Sequence, residues 1–381
     1  MNNYKVVILG ASGSGKTVFL ASMFRELSTQ GSRGFFLKAE GVNRPRLLTN
    51  IYKQVAGKGE WPEGTKRNEV SEWKFTCHVQ SKKDGSIFPA CTYTFFDYAG
   101  GLLTEAEDEE ETDSKFHETI QEAHTLLGLL DGKKILDAMK GNESAWDSFI
   151  LSDLPAIIGK MQNTKAPIHF VLNKWDLFDN EYDLEEVRDY LLEESDHFKN
   201  IVEFRHGMRS PVRLIPVSSV GRGFAVPQPN GSMKKTGKPP KPYQVEMPLA
   251  CIVPDIMEKT LGELKEKKKV EESRTVKIEA GLNLWDRFTQ SIGTSLGIAL
   301  GFFLPVDINF TEDLIQKISR VISAGADKKI EAAKKRSEEL LKDRDESIKQ
   351  VESEETAINH TINSFLYIRE TLEAMPGARL N

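Results

Sequence analysis

Hydrophobic positions along the chain fall into short runs with two distinct periods. Residues 4–9 form a continuous apolar run stopped by Gly10, the pattern of a buried strand. Residues 18–27 then carry apolar side chains at helical spacing. Residues 31–64 are irregular apart from a helical stretch around 46–55. Two alternating runs follow, 72–79 and 88–96, and Asp84-Gly85 between them is a hairpin signal, so these strands are expected to be antiparallel. Apolar runs at 125–130, 168–172 and 212–217 are separated by helical segments near 145–161 and 184–198. Strands alternating with helices predict an α/β fold, a mostly parallel sheet covered on both faces with one antiparallel strand.

Beyond that sheet the pattern changes. Residues 225–248 are rich in Pro, Gly and Lys and read as a solvated loop. Residues 249–264 form a last domain helix containing Pro254, and a charged stretch from 265 to 277 reads as a linker. The expected organisation is a main domain over 1–265, a linker over 266–281 and a C-terminal α-helical extension over 282–381. A chain of 381 residues suits a main globular domain plus an appendage. Its 39% hydrophobic and 28% charged residues are those of a soluble protein with a core. The net charge of −6 argues against direct nucleic-acid binding. Cys77, Cys91 and Cys251 have no zinc-ligand spacing, and a reduced intracellular state is expected. Polar Met1-Asn2-Asn3 does not open a signal peptide, which places the expected compartment in the cytosol.

Chemistry enters at Gly10-Ala11-Ser12-Gly13-Ser14-Gly15-Lys16-Thr17, which fits G-x-x-x-x-G-K-[ST] between a strand and a helix. Such a loop turns successive backbone N–H groups toward phosphate oxygens, and the helix that follows adds its positive end. Lys16 supplies charge to the β and γ phosphates, the Thr17 hydroxyl is a candidate Mg²⁺ ligand, and Val18 completes the loop's flank. The base is chosen by Asn173-Lys174-Trp175-Asp176, directly after the run 168–172. The Asp176 carboxylate can accept both N1–H and N2–H of guanine, whereas adenine would leave a buried anion unpaired. Asn173 is expected to brace the loops and the Lys174 stem to lie over the base.

With these residues the chain resembles the translation-factor-related and Ras-like class of P-loop GTPases over roughly residues 4–265. The resemblance implies a three-layer sandwich binding GTP/GDP and Mg²⁺. It assigns Asp97 and Gly100 of Asp97-Tyr98-Ala99-Gly100 to the D-x-x-G motif, Asp97 holding magnesium through water and the Gly100 N–H sensing the γ-phosphate. It assigns Ser218-Ser219 to the loop whose backbone faces guanine O6. Thr65 in Trp61-Pro62-Glu63-Gly64-Thr65 takes the place of the threonine that closes on magnesium, and Thr49 competes from within a helix. Lys16, Thr65 and Gly100 are thus the catalytic candidates, and Thr17, Thr65 and Asp97 the metal candidates. The W-P-x-G-T segment is also similar to bacterial GTPases of multi-gene and conflict-type operons.

The pattern is incomplete. Gly101 stands where many members carry the water-orienting glutamine, Ser12 replaces a glycine, and Val220 replaces the lysine of S-A-K. Slow intrinsic hydrolysis that rises with a partner is therefore expected. The acidic segment 104–113 reads as a solvated loop, with a basic partner as the alternative. No Ser-His-Asp set is evident among the seven histidines.

Residues 291–306 are uncharged, with Gly293, Gly297 and Gly301 on one helical face. Burial against the main domain or a partner is one reading and membrane attachment the other. Ile348, Val351, Ile358, Ile362, Phe365 and Leu372 fall mostly at heptad spacing, interrupted by Glu355 and Arg369. A short coiled coil, or a helical hairpin docked on a partner, fits that spacing. The sequence thus leaves two functions open: a GTPase switch that signals through a helical arm, and a catalytically weak GTP-dependent assembly or scaffold protein.

Overall fold

A computed structural model describes residues 3–63, 70–98, 100, 110–162, 164–178, 181–228, 232–275, 321 and 330–381. The chain opens with β1 (Asn3–Leu9), α1 (Lys16–Leu27), β2 (Phe36–Ala39) and α2 (Arg44–Ala56). Then come β3 (Val70–Gln80), β4 (Ile87–Tyr98), α3 (Glu110–Gln121), β5 (Thr125–Asp131) and α4 (Gly132–Met139). A short helix α5 (Glu143–Trp146), a π turn (Asp147–Asp153) and α6 (Leu154–Met161) lead to β6 (Ile168–Asn173). The rest is α7 (Leu184–Glu194), α8 (Asp196–Gly207), β7 (Val212–Pro216), β8 (Ala225–Pro227), β9 (Met233–Lys235), α9 (Met247–Thr275), α10 (Ile330–Ser347) and α11 (Glu354–Glu373).

Seven strands form one sheet in the order β2-β3-β4-β1-β5-β6-β7. β1 runs parallel to β4 and β5, and β5, β6 and β7 continue in parallel, while β3 runs against both of its neighbours. That is the predicted mostly parallel sheet with one antiparallel strand. The central strands β5 and β6 are buried at every position, which is why their sequences read as unbroken apolar runs.

Phe75 of β3 meets Phe24 of α1 at 5.8 Å, and its cross-strand partner Tyr93 meets Phe365 of α11 at 6.5 Å. Directly opposed residues share a face, so α1 and α11 cover the same side. Tyr98, five positions from Tyr93 and so on the opposite side, packs on Phe116 of α3 at 4.3 Å. The sheet is the middle of three layers.

Several expectations need correction. The stretch 31–64 contains an edge strand, β2, whose four residues are too few to show a period. The segment 184–198 is two helices separated at Ser195, whose hydroxyl accepts from Phe198 N and caps the second. α9 runs to Thr275, into the charged stretch read as a linker, whose remainder lies outside the described residues. Residues 225–248 are not simply solvated: they hold the β8–β9 hairpin. The heptad-like positions Ile348, Val351, Ile362, Phe365 and Leu372 are buried in the same core as the sheet, so this face is covered by the chain itself. Phe365 also meets Phe35 edge-on at 5.1 Å. The last residues finish the edge of the sheet, Leu214 N donating to Ala378 O and Leu380 N to Val212 O. The apolar stretch 291–306 lies outside the described residues. Among those described, no helix is long and apolar enough to cross a membrane.

Candidate functional site

The carboxyl ends of β1, β4, β6 and β7 converge on a cavity of about 460 Å³. Its walls include Ser12, Gly13, Gly15, Lys16, Thr17 and Val18 from the first loop, Gly100, and Asn173, Lys174, Asp176 and Ser219. A crevice outside the carboxyl ends of parallel strands is where such folds hold ligands. Gly10 ends β1, and Lys16 opens α1, so the intervening loop presents the helix's N-terminal end to the cavity.

Gly15 has φ +92°, and a Cβ there would sit 2.6 Å from Asn173 Nδ2. Only glycine permits both that backbone and that neighbour. Asn173 Nδ2 donates to Ser14 O at 2.9 Å, and Asn173 Oδ1 accepts from Ser219 Oγ at 2.9 Å. Asn173 therefore braces the first loop and the loop after β7 at once. Lys174 Nζ donates to Gly13 O at 3.0 Å and to Asp131 Oδ2 at 2.7 Å. Asp176 Oδ1 accepts from Ser218 Oγ at 2.5 Å, and burial, opposed by that hydrogen bond, raises its pKa.

At the phosphate end Lys16 Nζ donates to Gly10 O at 2.6 Å. Burial lowers the Lys16 pKa, while Asp97 pushes it back up. Asp97 is pushed up to about 6 by burial, against the opposing effects of Lys16 and Thr17. Its Oδ2 lies 3.5 Å from Thr17 Oγ1, whereas its Oδ1 is buried and has no hydrogen-bond partner among the described residues. Ser14 Oγ is in the same condition. A carboxylate with an orphaned oxygen beside a hydroxyl suits Mg²⁺, which takes one or two protein oxygens and completes its shell with water and phosphate. Thr17 and Asp97 would hold it. Gly100 passes so close to the first loop that a Cβ would lie 2.2 Å from Ser12 N.

Thr65 and Gly101 lie outside the described residues, so the geometry speaks to neither. The competitor Thr49 is inside α2, where its hydroxyl donates to Pro45 O at 2.7 Å. Sequence reasoning missed Asp131, which caps α4 through Lys133 N at 3.0 Å while holding Lys174. It also missed Trp61, Val220, Ala225 and Met233 as cavity walls. The Asp-Gly at the end of β5 was a readable turn signal; for Met233 no local signal exists.

No curated protein matches the chain. Residues 7–147 match a family model, and that span takes in the first loop, Asp97 and Gly100 but ends before Asn173. The family is Double-GTPase 1, a GTPase family, and the match implies that this chain binds and hydrolyses GTP.

Proposed function

We propose that the chain is a GTP-binding switch that hydrolyses GTP to GDP and phosphate slowly and with Mg²⁺, passing its nucleotide state to a protein partner. The observation that carries guanine selectivity is Asp176 on the cavity wall, oriented by Ser218 and flanked by the bracing Asn173. A carboxylate fixed there offers two acceptor oxygens to adjacent N–H donors, which guanine has and adenine lacks.

The first loop supplies backbone donors and the Lys16 ammonium for the β and γ phosphates. Bound Mg²⁺ neutralises charge on the phosphate oxygens. Lys16 stabilises the charge that develops as the γ-phosphoryl group passes from the β-phosphate oxygen to water, Gly100 senses the γ-phosphate, and Thr65 is the threonine that would close on Mg²⁺. With glycine at 101, no side chain from that position orients the water, which is why turnover is slow. The uncharged segment 291–306 is read as buried against the main domain or a partner, with membrane contact as the alternative, on the sequence alone.

Glycine at 101 and serine at 12 favour a second reading, a GTP-dependent assembly protein in which the nucleotide is a structural ligand. GTP turnover with Mg²⁺ separates the two. The switch reading expects slow turnover that Lys16→Ala and Thr65→Ala both abolish. No turnover in the unaltered chain at any concentration would favour assembly.

A further inference from the structure

The cavity has two unlike sides. The phosphate and Asp176 sides are polar, whereas Val18, Trp61, Val220, Ala225 and Met233 make an apolar wall. Val55, Phe224 and Ala225 form a small core of their own, with Val18, Trp61, Val220 and Met233 packed against it. This wall is assembled from segments far apart in sequence. Trp61 Nε1 donates to Met233 O at 2.7 Å across 172 residues. The indole also meets Phe224 edge-on at 5.8 Å. Lys235 Nζ lies 5.1 Å from the Trp61 ring centroid and donates to three carbonyls of the first-switch segment, Gln54 at 2.8 Å, Gly57 at 3.1 Å and Glu60 at 3.3 Å.

The hairpin that carries Met233 and Lys235 is rooted in the loop next to Asp176. Ser218 and Tyr243 exchange both backbone hydrogen bonds, at 3.0 and 2.8 Å, and Lys241 N donates to Val220 O at 2.8 Å. Thr236 N returns to Phe224 O at 2.9 Å. One end of the hairpin is therefore fixed to Ser218, whose hydroxyl orients Asp176, and its strand β9 is fixed to the segment ending at Trp61.

We propose that Trp61 and Met233 are nucleoside-positioning residues, and that the β8–β9 hairpin straps the first-switch segment to the base loop across the bound nucleotide. The proposal rests on the guanine-nucleotide reading above and deepens it. An apolar wall opposite the phosphate loop suits the sugar and the ring face of a nucleoside, and no phosphate. A ligand held between Asp176 and this wall leaves only when the wall opens, and opening separates Trp61 from Met233 and Lys235 from its three carbonyls. The strap thus acts on release far more than on entry.

The test is tritiated GDP bound to the full chain with Mg²⁺, chased with excess unlabelled GDP, with association measured separately. Trp61→Ala is expected to speed dissociation at least tenfold and to change association less than threefold. Trp61→Phe keeps a ring against Phe224 but has no N–H for Met233 O, so its release rate falls between the two. Lys235→Met keeps the stem over the indole and loses the three carbonyl bonds; a several-fold faster release is expected from this surface change, which leaves the core intact. Release within twofold of the unaltered chain for both Trp61→Ala and Lys235→Met would overturn the strap. Failure of the unaltered chain to take up GDP would overturn the nucleotide reading itself.

Discussion

Two buried carboxylates at opposite ends of the sheet show what distinguishes a ligand site from a structural one. Asp255 of α9 is fully buried and meets Arg213 Nε at 2.5 Å and Nη2 at 2.6 Å, Arg369 Nε at 3.0 Å and His169 Nε2 at 2.8 Å. Burial alone would raise its pKa, but Arg213, His169 and Arg369 hold it well below the usual carboxylate range. Glu373 joins the cluster, meeting Arg213 Nη1 at 2.5 Å and Arg379 Nη1 at 3.3 Å. The cluster ties β6, β7, α9, α11 and the last residues together, and its charges satisfy one another. Asp97, equally buried, has an orphaned oxygen and a pKa pushed up to about 6. The fold neutralises one end of the sheet from within, whereas at the other end Asp97 keeps an oxygen without a hydrogen-bond partner among the described residues. His169 and Asn173, both on β6, mark the two ends.

That contrast predicts opposite responses to similar substitutions. Asp255→Ala leaves Arg213 and Arg369 buried without compensation and is expected to cost about 3–5 kcal/mol in urea denaturation. A loss below about 1 kcal/mol would show that the cluster is not the clamp described.

The next largest effect is acid sensitivity away from the cavity. His360 of α11 is held through Nε2 by Gly34 O at 3.0 Å and through Nδ1 by Ser347 Oγ at 2.8 Å, and burial pulls its pKa down to about 4. The unfolded chain then binds more protons than the folded one between pH 6.5 and about 4. The contribution of His360 should fall by on the order of 3 kcal/mol as the pH drops through that window, while Asp97, pushed up to about 6, contributes in the opposite sense. His360→Gln, which can still donate to Gly34 O, should flatten that part of the stability–pH curve. The depressed pKa of Asp255 acts only below pH 4, so the two contributions separate.

Asp97→Asn is the counterpart to Asp255→Ala. Without nucleotide it should leave thermal stability unchanged or raise it modestly, because burial of this carboxylate outweighs the help of Lys16 and Thr17 and costs free energy above its pKa. Mg²⁺-dependent retention of GTP should nevertheless be lost. Smallest of all, Asp131→Asn keeps the cap on α4 but removes the charge facing Lys174, and a few-fold weaker nucleotide affinity is expected by calorimetry.

Legibility followed the same division. The first loop and Asn173-Lys174-Trp175-Asp176 were readable because each packs its chemistry into a few consecutive residues. The sheet was readable because β5 and β6 are buried at every position and so read as unbroken apolar runs. The apolar spacing of α11 was legible as a buried face, but spacing does not say what covers it. Its interruption at Arg369 makes sense only once Asp255, 114 residues away, is seen beside it. The strap was illegible for a related reason: Met233 takes part through its carbonyl oxygen, a group every residue has, and the three-residue strands of the hairpin carry no period.

The central claim is that Asp176 selects guanine. Calorimetry of the full chain with Mg²⁺ against GDP, ADP and XDP, repeated with Asp176→Asn, tests it most directly. The account predicts at least a hundredfold preference for GDP over ADP in the unaltered chain. In the variant, GDP binding should weaken and XDP binding strengthen, since an amide pairs one donor and one acceptor with the N1–H and 2-oxo group of xanthine. Equal uptake of ADP and GDP by the unaltered chain would contradict it.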